Sequence, residues 1–133
     1  MVTGMNLDPA ATAATVIEVW NGAPVERLRE VLSSDYRGHM LHLRDGDRDA
    51  AAYPGLITQY RAANPGTVFQ IVDQMAVGDR LVSRLEARRI DGSSGADSVA
   101  RGINISRFDT QGRLAEEWAI WSSWMDEAST ALA

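Results

Sequence analysis

The sequence predicts an α+β fold, in which a curved antiparallel sheet wraps three helices and leaves a cavity at its wide end. Before residue 66, apolar residues recur every three or four positions, which is the spacing of one helical face. After that residue they alternate as in strands, and short turn sequences separate four such runs. The 133 residues, 45% hydrophobic and 23% charged, suit one domain over residues 1–133.

The three helices are bounded by residues that start or stop helical structure. Asp8 followed by Pro9 is a start signal, and Gly22 follows the end of the first apolar stripe. Pro54 and Gly55 are expected to disturb the first part of the third helix, which ends before "NPG". The predicted helices span residues 9–20, about 24–32 and about 50–63.

The second half of the chain predicts an antiparallel meander, because only short turns separate neighbouring extended runs. Between the second and third helices, "SSDYRGHMLHL" is predicted as a turn with a short extended segment, and "RDGDRD" as a solvated loop. The four predicted strands span residues 67–77, 80–90, 98–108 and 113–124.

The composition excludes several classes of chemistry. Without cysteine, the chain has no disulfide and no thiolate nucleophile or metal ligand. His39 and His42, three residues apart in an extended segment, point to opposite faces and lack further ligands, so no metal site is predicted. Catalysis must therefore use carboxylates, histidines, hydroxyls or arginines.

Charge and hydropathy limit the partners. A net charge of −5 with scattered basic residues disfavours binding to nucleic acid. No run approaches the ~20 apolar residues that span a bilayer, and the N-terminal segment lacks the features of a secretion signal. We therefore expect a cytoplasmic protein that binds neither membrane nor nucleic acid.

Asp73 is a candidate acid or base on the first long strand. Alternation places it on the same face as Phe69, Ile71 and Met75, and a carboxylate on an apolar face needs a partner or a raised pKa. Two alternatives remain open. Either Asp73 projects into the pocket, or the strand ends or bulges near Gln74 and leaves Asp73 in water.

The last predicted strand is rich in tryptophan. Alternation from Leu114 places Trp118, Ile120 and Ser122 on one face and Trp121 on the other. Ordinary core and interface packing explains indole rings, since each buries ~200 Å² or more. Alternatively, Trp118 lines a cavity for a flat apolar ligand, while Trp121 packs against a second subunit. On the preceding strand, Asn104 occupies a face that could be interior or exterior.

Four segments follow one another along the chain: Trp20 in the first helix, "SSDYRGH" with Asp35 and His39, "NPGTVFQIVDQMAVGDRLVSRL", and "GINISRFDTQGRLAEEW". In this order they resemble the SnoaL-like polyketide cyclases of the nuclear transport factor 2 fold superfamily. The resemblance covers about residues 12 to 124.

The resemblance implies a cone-shaped barrel that encloses an apolar pocket, in a homodimer paired through the outer face of the sheet. It also implies ring closure of polyketide intermediates by intramolecular aldol chemistry, with a pocket carboxylate and no cofactor. This sequence departs from the family at one position. Where the cyclases have an aspartate four residues after the tryptophan, this chain has Ser122, which cannot take up a proton near neutral pH.

These observations lead to a cyclase hypothesis for a small apolar or polyketide-like substrate. His39 and Asp73 would move the proton, and Ser122 and Asn104 would donate hydrogen bonds to the developing oxyanion. The expected substrate contacts are Trp118, Phe69, Ile120, Trp20 and Tyr36. Two alternatives stay open: a non-catalytic binding protein of the same fold, and an epoxide hydrolase-like hydrolase or isomerase using Asp73 with Arg84.

Overall fold

Three helices pack against a seven-stranded sheet in the computed structural model, which describes residues 7–90 and 97–126. The helices are α1 (Pro9–Trp20), α2 (Leu28–Val31), which follows a 3₁₀ turn at Val25–Arg27, and α3 (Tyr53–Ala63). The strands are β1 (Leu32–Met40), β2 (Asp47–Asp49), β3 (Val68–Val77), β4 (Arg80–Ile90), β5 (Asp97–Phe108), β6 (Leu114–Trp121) and β7 (Met125–Asp126). Within the described residues, no helix has the length and hydropathy that crossing a membrane requires.

The sheet confirms the predicted α+β class and the predicted meander. Its strand order is β2-β1-β6-β5-β4-β3, with β7 paired to β5, and β3 to β6 form consecutive antiparallel pairs. The sheet is mixed rather than purely antiparallel, because β1 lies parallel to β6. That pairing joins segments about 80 residues apart, so no local turn sequence could indicate it.

The helix signals act largely as predicted. Pro9 occupies the first turn of α1, and Gly22 ends the helix with a φ of 122°, a conformation that favours glycine. The third helix begins at Tyr53, three residues later than expected, because Pro54 fits the first turn of a helix better than its interior. Tyr53 and Ile57 are buried by this start, with 1% and 0% of their surface exposed.

One extra residue near the start of β6 decides which side chains face the helices. Phe108 pairs with Leu114 and Arg107 pairs with Glu116, so Ala115 has no partner of its own in this ladder. Leu114 and Ala115 are both buried, and the inward alternation then continues with Glu117 and Ala119. The predicted faces of the last strand are therefore exchanged beyond the bulge, and the strand ends at Trp121 rather than at residue 124.

A second bulge lies in β3 and resolves the two alternatives for Asp73. Ile71 pairs with Leu85 and Asp73 pairs with Arg84, which leaves Val72 as the extra residue. The side chain of Asp73 is 68% exposed and lies 3.9 Å from the Arg84 guanidinium. The alternative in which the strand bulges and leaves Asp73 in water is confirmed.

The two faces of β4 alternate as its sequence predicts. Leu81, Ser83, Leu85 and Ala87 are buried on the inner face. The outer face of the sheet also carries apolar side chains, since Ile103 on β5 is 44% exposed. It pairs with Ile120 on β6, which is 49% exposed.

Candidate functional site

A pocket of about 340 Å³ lies between α1, α3 and the inner face of the sheet. This volume falls at the lower end of the range of small-molecule sites, about 300–1,000 Å³. The pocket is lined largely by aromatic and aliphatic side chains, and the aromatic residues are Trp20, Tyr53, Tyr60, Phe69, Trp121 and Trp124. Such a lining suits a flat apolar ligand.

The aromatic rings support one another through edge contacts. The Phe69 ring centroid lies 5.4 Å from that of Trp20 and 5.7 Å from that of Trp121, both at steep interplanar angles. Trp124, another ring of the lining, is covered by the Arg89 guanidinium at 4.1 Å, and Arg89 also donates to Asn64 Oδ1. Arg89 therefore helps to fix the position of Trp124 in the pocket wall.

Glu117 is the acid of this pocket. It lines the cavity from β6 with only 4% of its surface exposed. The Tyr36 hydroxyl donates to Glu117 Oε1 at 3.1 Å, and the Tyr53 hydroxyl donates to the same oxygen at 3.2 Å. Both tyrosine hydroxyls therefore use Oε1 and leave Oε2 without a tyrosine partner.

The two tyrosines are themselves positioned by their neighbours. Trp20 Nε1 donates to the Tyr53 hydroxyl at 2.9 Å, and the rings of Tyr36 and Tyr53 stack at 4.9 Å. Gly38 allows the Tyr36 hydroxyl to approach the backbone of β1, since a Cβ at position 38 would overlap that hydroxyl. A chain of two hydrogen bonds thus connects the Trp20 indole through the Tyr53 hydroxyl to the carboxyl group of Glu117.

Burial dominates the electrostatics of this group. Burial raises the pKa of Glu117 above its ordinary value, while hydrogen bonds from Tyr36, Tyr53 and Asn104 offset part of the rise. Burial also raises the pKa of both tyrosines, which keeps their hydroxyls protonated as donors. A carboxyl group with a raised pKa can act as a general acid or base near neutral pH.

Two other polar side chains line the inner wall. The Ser106 hydroxyl donates to Asn104 Oδ1 at 2.5 Å, which leaves the Asn104 amide hydrogens for Glu117. Ser122 Oγ accepts from Arg101 N at 3.0 Å and donates to Ser123 O at 2.9 Å. The Ser122 hydroxyl hydrogen is therefore already engaged, although the residue does line the pocket as expected.

His42 lines the pocket at a more exposed position. Trp121 N donates to its Nδ1 at 3.3 Å, and burial lowers the pKa of the imidazole below its ordinary value. The ring is therefore neutral at physiological pH, unlike that of a histidine paired with carboxylates.

The expectation that His39 and Asp73 face the pocket is wrong. His39 lies on the outer face of the sheet, where Nδ1 contacts Asp47 Oδ1 at 3.0 Å and Nε2 contacts Glu116 Oε2 at 2.8 Å. The hydrogen bond to Asp47, followed by that to Glu116, raises the pKa of His39. Asp73 is turned to solvent by the β3 bulge, and its contact with Arg84 lies outside the cavity.

The expected substrate contacts on β6 are also corrected. Trp118 stacks on His39 and lies under the Arg80 guanidinium on the outer face, and Ile120 is exposed there. Trp121, which was expected to contact a second subunit, lines the pocket instead. The bulge at Ala115 causes this exchange.

The remaining sequence candidates lie in or beside the pocket. Trp20, Phe69 and Asn104 line it, and Tyr36 reaches it through its hydrogen bond to Glu117. The sequence did not indicate Glu117 or His42 as site residues. One signal was present for Glu117, because it belongs to the acid and tryptophan pattern in "LAEEW".

The chemistry available here is that of carboxyl, imidazole, amide and phenol groups. The described residues contain no group of three or more His, Asp or Glu side chains that could hold a metal ion. Glu117 is the one carboxylate among the described lining residues, so the pocket lacks the paired acids of the epoxide hydrolase alternative.

Comparison of the sequence with protein families gives a match to the SnoaL-like domain over residues 13–117, which is most of the chain. The chain belongs to the SnoaL-like domain family. A search of curated proteins found none that matches this sequence.

Solved structures of other proteins share the fold. IdmH of Streptomyces antibioticus, a proposed polyketide cyclase, is 25% identical with a TM-score of 0.75, over 87% of this chain and 93% of that chain. A proposed polyketide cyclase of Acidithiobacillus ferrooxidans is 21% identical with a TM-score of 0.70, over 91% of this chain and 92% of that chain. AclR of Streptomyces galilaeus, a proposed hydroxylase, is 17% identical with a TM-score of 0.68, over 86% of this chain and 74% of that chain.

Proposed function

We propose that this SnoaL-like protein is a cofactor-independent, polyketide cyclase-like enzyme of natural-product biosynthesis, in which Glu117 is the acid and base. The observation that carries the proposal is a buried carboxyl group at the wall of an apolar pocket, with two tyrosine hydroxyls on one of its oxygens. The similarity to IdmH, a proposed polyketide cyclase, supports the reaction class. Glu117 replaces His39 and Asp73 in this role.

The proposed reaction is an intramolecular aldol addition. The Glu117 carboxylate removes a proton from the carbon beside one substrate carbonyl, and the enolate carbon then forms a C–C bond with a second carbonyl carbon. The C=O π bond breaks, and the new alkoxide takes the proton back from Glu117. One group can serve both steps because the carboxylate that takes up the proton becomes the carboxylic acid that returns it.

The pocket would contribute by holding the substrate in a reactive conformation. Phe69, Trp20 and Trp121 present rings against which a flexible, partly unsaturated chain can fold. Asn104, fixed by Ser106, would donate to the substrate oxygen or to Glu117 during proton transfer. The volume of about 340 Å³ suits the reacting part of a substrate rather than a large multi-ring product.

The test compares Glu117→Gln with Glu116→Gln, its neighbour on the outer face. Purified proteins would be incubated with linear polyketide intermediates, and the cyclic product would be measured by mass spectrometry. We expect Glu117→Gln to lose roughly 10²- to 10⁴-fold in turnover, while ligand binding, followed by tryptophan fluorescence, is retained. Glu116→Gln should react as the wild type does.

The outcomes separate the alternatives. Wild-type turnover by Glu117→Gln would contradict the assigned role of Glu117. Recovery of every bound ligand chemically unchanged from the wild-type protein would favour the non-catalytic binding protein. Solvent oxygen in the product, measured in ¹⁸O-labelled water, would indicate hydrolysis rather than aldol ring closure.

We further propose a homodimer that pairs through the outer face of the sheet. Ile103, Ile120 and Met75 are 44%, 49% and 64% exposed on this face, which gives it an apolar surface to cover. Ile103→Arg should shift the protein to a monomer in analytical ultracentrifugation. Leu41→Arg, at an exposed apolar residue beyond the last residue of β1, is the matched control. A monomeric wild-type protein would contradict the proposal.

A further inference from the structure

His42 is fixed at the exposed end of the pocket by the backbone on both sides of it. Leu41 N donates to Ala119 O at 2.7 Å, which continues the pairing with β6 beyond the end of β1. Leu43 N then donates to Met40 O at 3.1 Å, closing a turn that contains His42. The ring is thereby held beside Trp121 as part of the pocket wall.

The hydrogen bond from the backbone determines which nitrogen of His42 carries the proton. Because Trp121 N donates to Nδ1, that nitrogen must present its lone pair. In the neutral ring the proton is then on Nε2, which is a donor. Among the described residues this is the one hydrogen bond of the ring, so Nε2–H is left for a ligand.

Two donors of different kinds therefore act on the same cavity. Glu117, whose carboxyl group is a donor when protonated, lies at the buried end, and His42 lies where the cavity meets solvent. The wall between them is mainly aromatic and aliphatic. A ligand that satisfies both ends has an apolar middle with acceptor oxygens towards its two ends, as a diketone has.

We propose that His42 is a specificity-determining hydrogen-bond donor, whose Nε2–H holds an acceptor oxygen of the ligand at the exposed end of the pocket. This inference rests on the proposed ligand-binding function of the pocket and deepens it by naming a substrate class, apolar molecules with two separated carbonyl groups. It does not require that Glu117 catalyse a reaction. Failure of turnover and failure of this inference are therefore distinguishable.

The first experiment determines the tautomer of His42 in the full chain. The protein contains two histidines, so long-range ¹H–¹⁵N spectra of ¹⁵N-histidine-labelled protein at pH 7.5 are assigned with the His39→Gln variant. We expect His42 to show a neutral ring protonated at Nε2. A ring protonated at Nδ1, or a charged ring, would overturn the proposal.

The second experiment measures binding with two matched probes, 2,6-diacetylnaphthalene and 2,6-diethylnaphthalene, which lacks the acceptor oxygens. Fluorescence titration should show tighter binding of the diketone to the wild type. His42→Phe should weaken the binding of the diketone by roughly three- to tenfold. It should change the affinity for the hydrocarbon by less than about twofold. His42→Gln, which keeps a donor, should restore at least part of the selectivity.

The binding results overturn the proposal if the wild type does not prefer the diketone, or if His42→Phe weakens both probes equally. The same holds if the diketone affinity is unchanged in His42→Phe. Glu117→Gln serves as a reference, because its neutral side chain retains a donor at the buried end. If Glu117→Gln loses turnover but still prefers the diketone to the hydrocarbon, the role of Glu117 in catalysis is separate from the role of His42 in binding.

Discussion

Glu116 and Glu117 are consecutive in β6, yet they lie on opposite faces of the sheet and their pKa values shift in opposite directions. The hydrogen bond from His39 lowers the pKa of Glu116, whereas burial raises that of Glu117. The side chain of Glu116 is 26% exposed, while Glu117 as a residue is only 4% exposed. The pair therefore offers matched variants that separate the chemistry of the pocket from that of the outer face.

The stability of the protein should depend on pH through Glu117. A carboxyl group whose folded-state pKa is raised contributes stability below its unfolded pKa of about 4.5 and loses it as pH rises through the folded pKa. Glu117→Gln should therefore gain stability relative to the wild type as pH rises from 5 to 9, at no more than about 1.4 kcal/mol per pH unit. Urea unfolding across this range measures the difference, with Glu116→Gln as the control. A difference independent of pH would contradict the raised pKa.

The hydroxyls of Tyr36 and Tyr53 should lower the pKa of Glu117, whereas burial raises it. Tyr36→Phe and Tyr53→Phe each remove a hydrogen bond that lowers its pKa, so each should raise that pKa further. Titration of the ¹³C-labelled carboxyl group by NMR measures the change. Tyr60→Phe is the control, because Tyr60 lines the pocket without a hydrogen bond to Glu117. A lowered pKa in either of the first two variants would contradict the network.

The outer face should contribute its own pH dependence through His39. The raised pKa means that its contribution to stability is complete below about pH 6.5 and is lost as pH rises through the folded-state value. His39→Gln should therefore destabilise the protein by at most about 1 kcal/mol at pH 6. It should destabilise less at pH 9. Urea unfolding at both values checks the trend, and an equal effect at both would show that the ring acts through packing on Trp118 alone.

Gly102 should be required for the position of Trp121 in the pocket wall. A Cβ at this position would lie 2.6 Å from the indole ring, closer than the ring can accept without moving. Gly102→Ala should destabilise the protein by about 1–3 kcal/mol and change the tryptophan emission. Gly55→Ala is the control, since nothing lies within 4 Å of its Cβ. Equal melting temperatures for the two variants would contradict the packing described here.

The elements and their order could be predicted from the sequence, because helical and strand periods are local properties of the chain. Pro9 and Gly22 bound α1, and the charged and apolar faces of β4 are plain in its alternation. The pairing of β1 with β6 could not be predicted in this way. It depends on contacts between distant segments, and so does the parallel direction of that pair.

The site residues were predicted in part, and most of the wrong assignments come from β-bulges that the sequence does not reveal. Trp20 and Phe69 line the pocket as expected, and so does Asn104, whose face the alternation had left open. Trp118 and Ile120 were assigned to the wrong face, because strict alternation from Leu114 ignores the extra residue at Ala115. His39 was placed in the pocket by family resemblance, whereas its pairing with Asp47 and Glu116 holds it outside.

The extra residue at Ala115 determines which side chains of β6 face the pocket. Upstream of it the inward set begins with Leu114, and downstream it continues with Glu117, Ala119 and Trp121. A relative that lacks this single insertion would turn the alternate set inward without any substitution. The lining of such a pocket can therefore change through an indel that exchanges two complete sets of side chains at once.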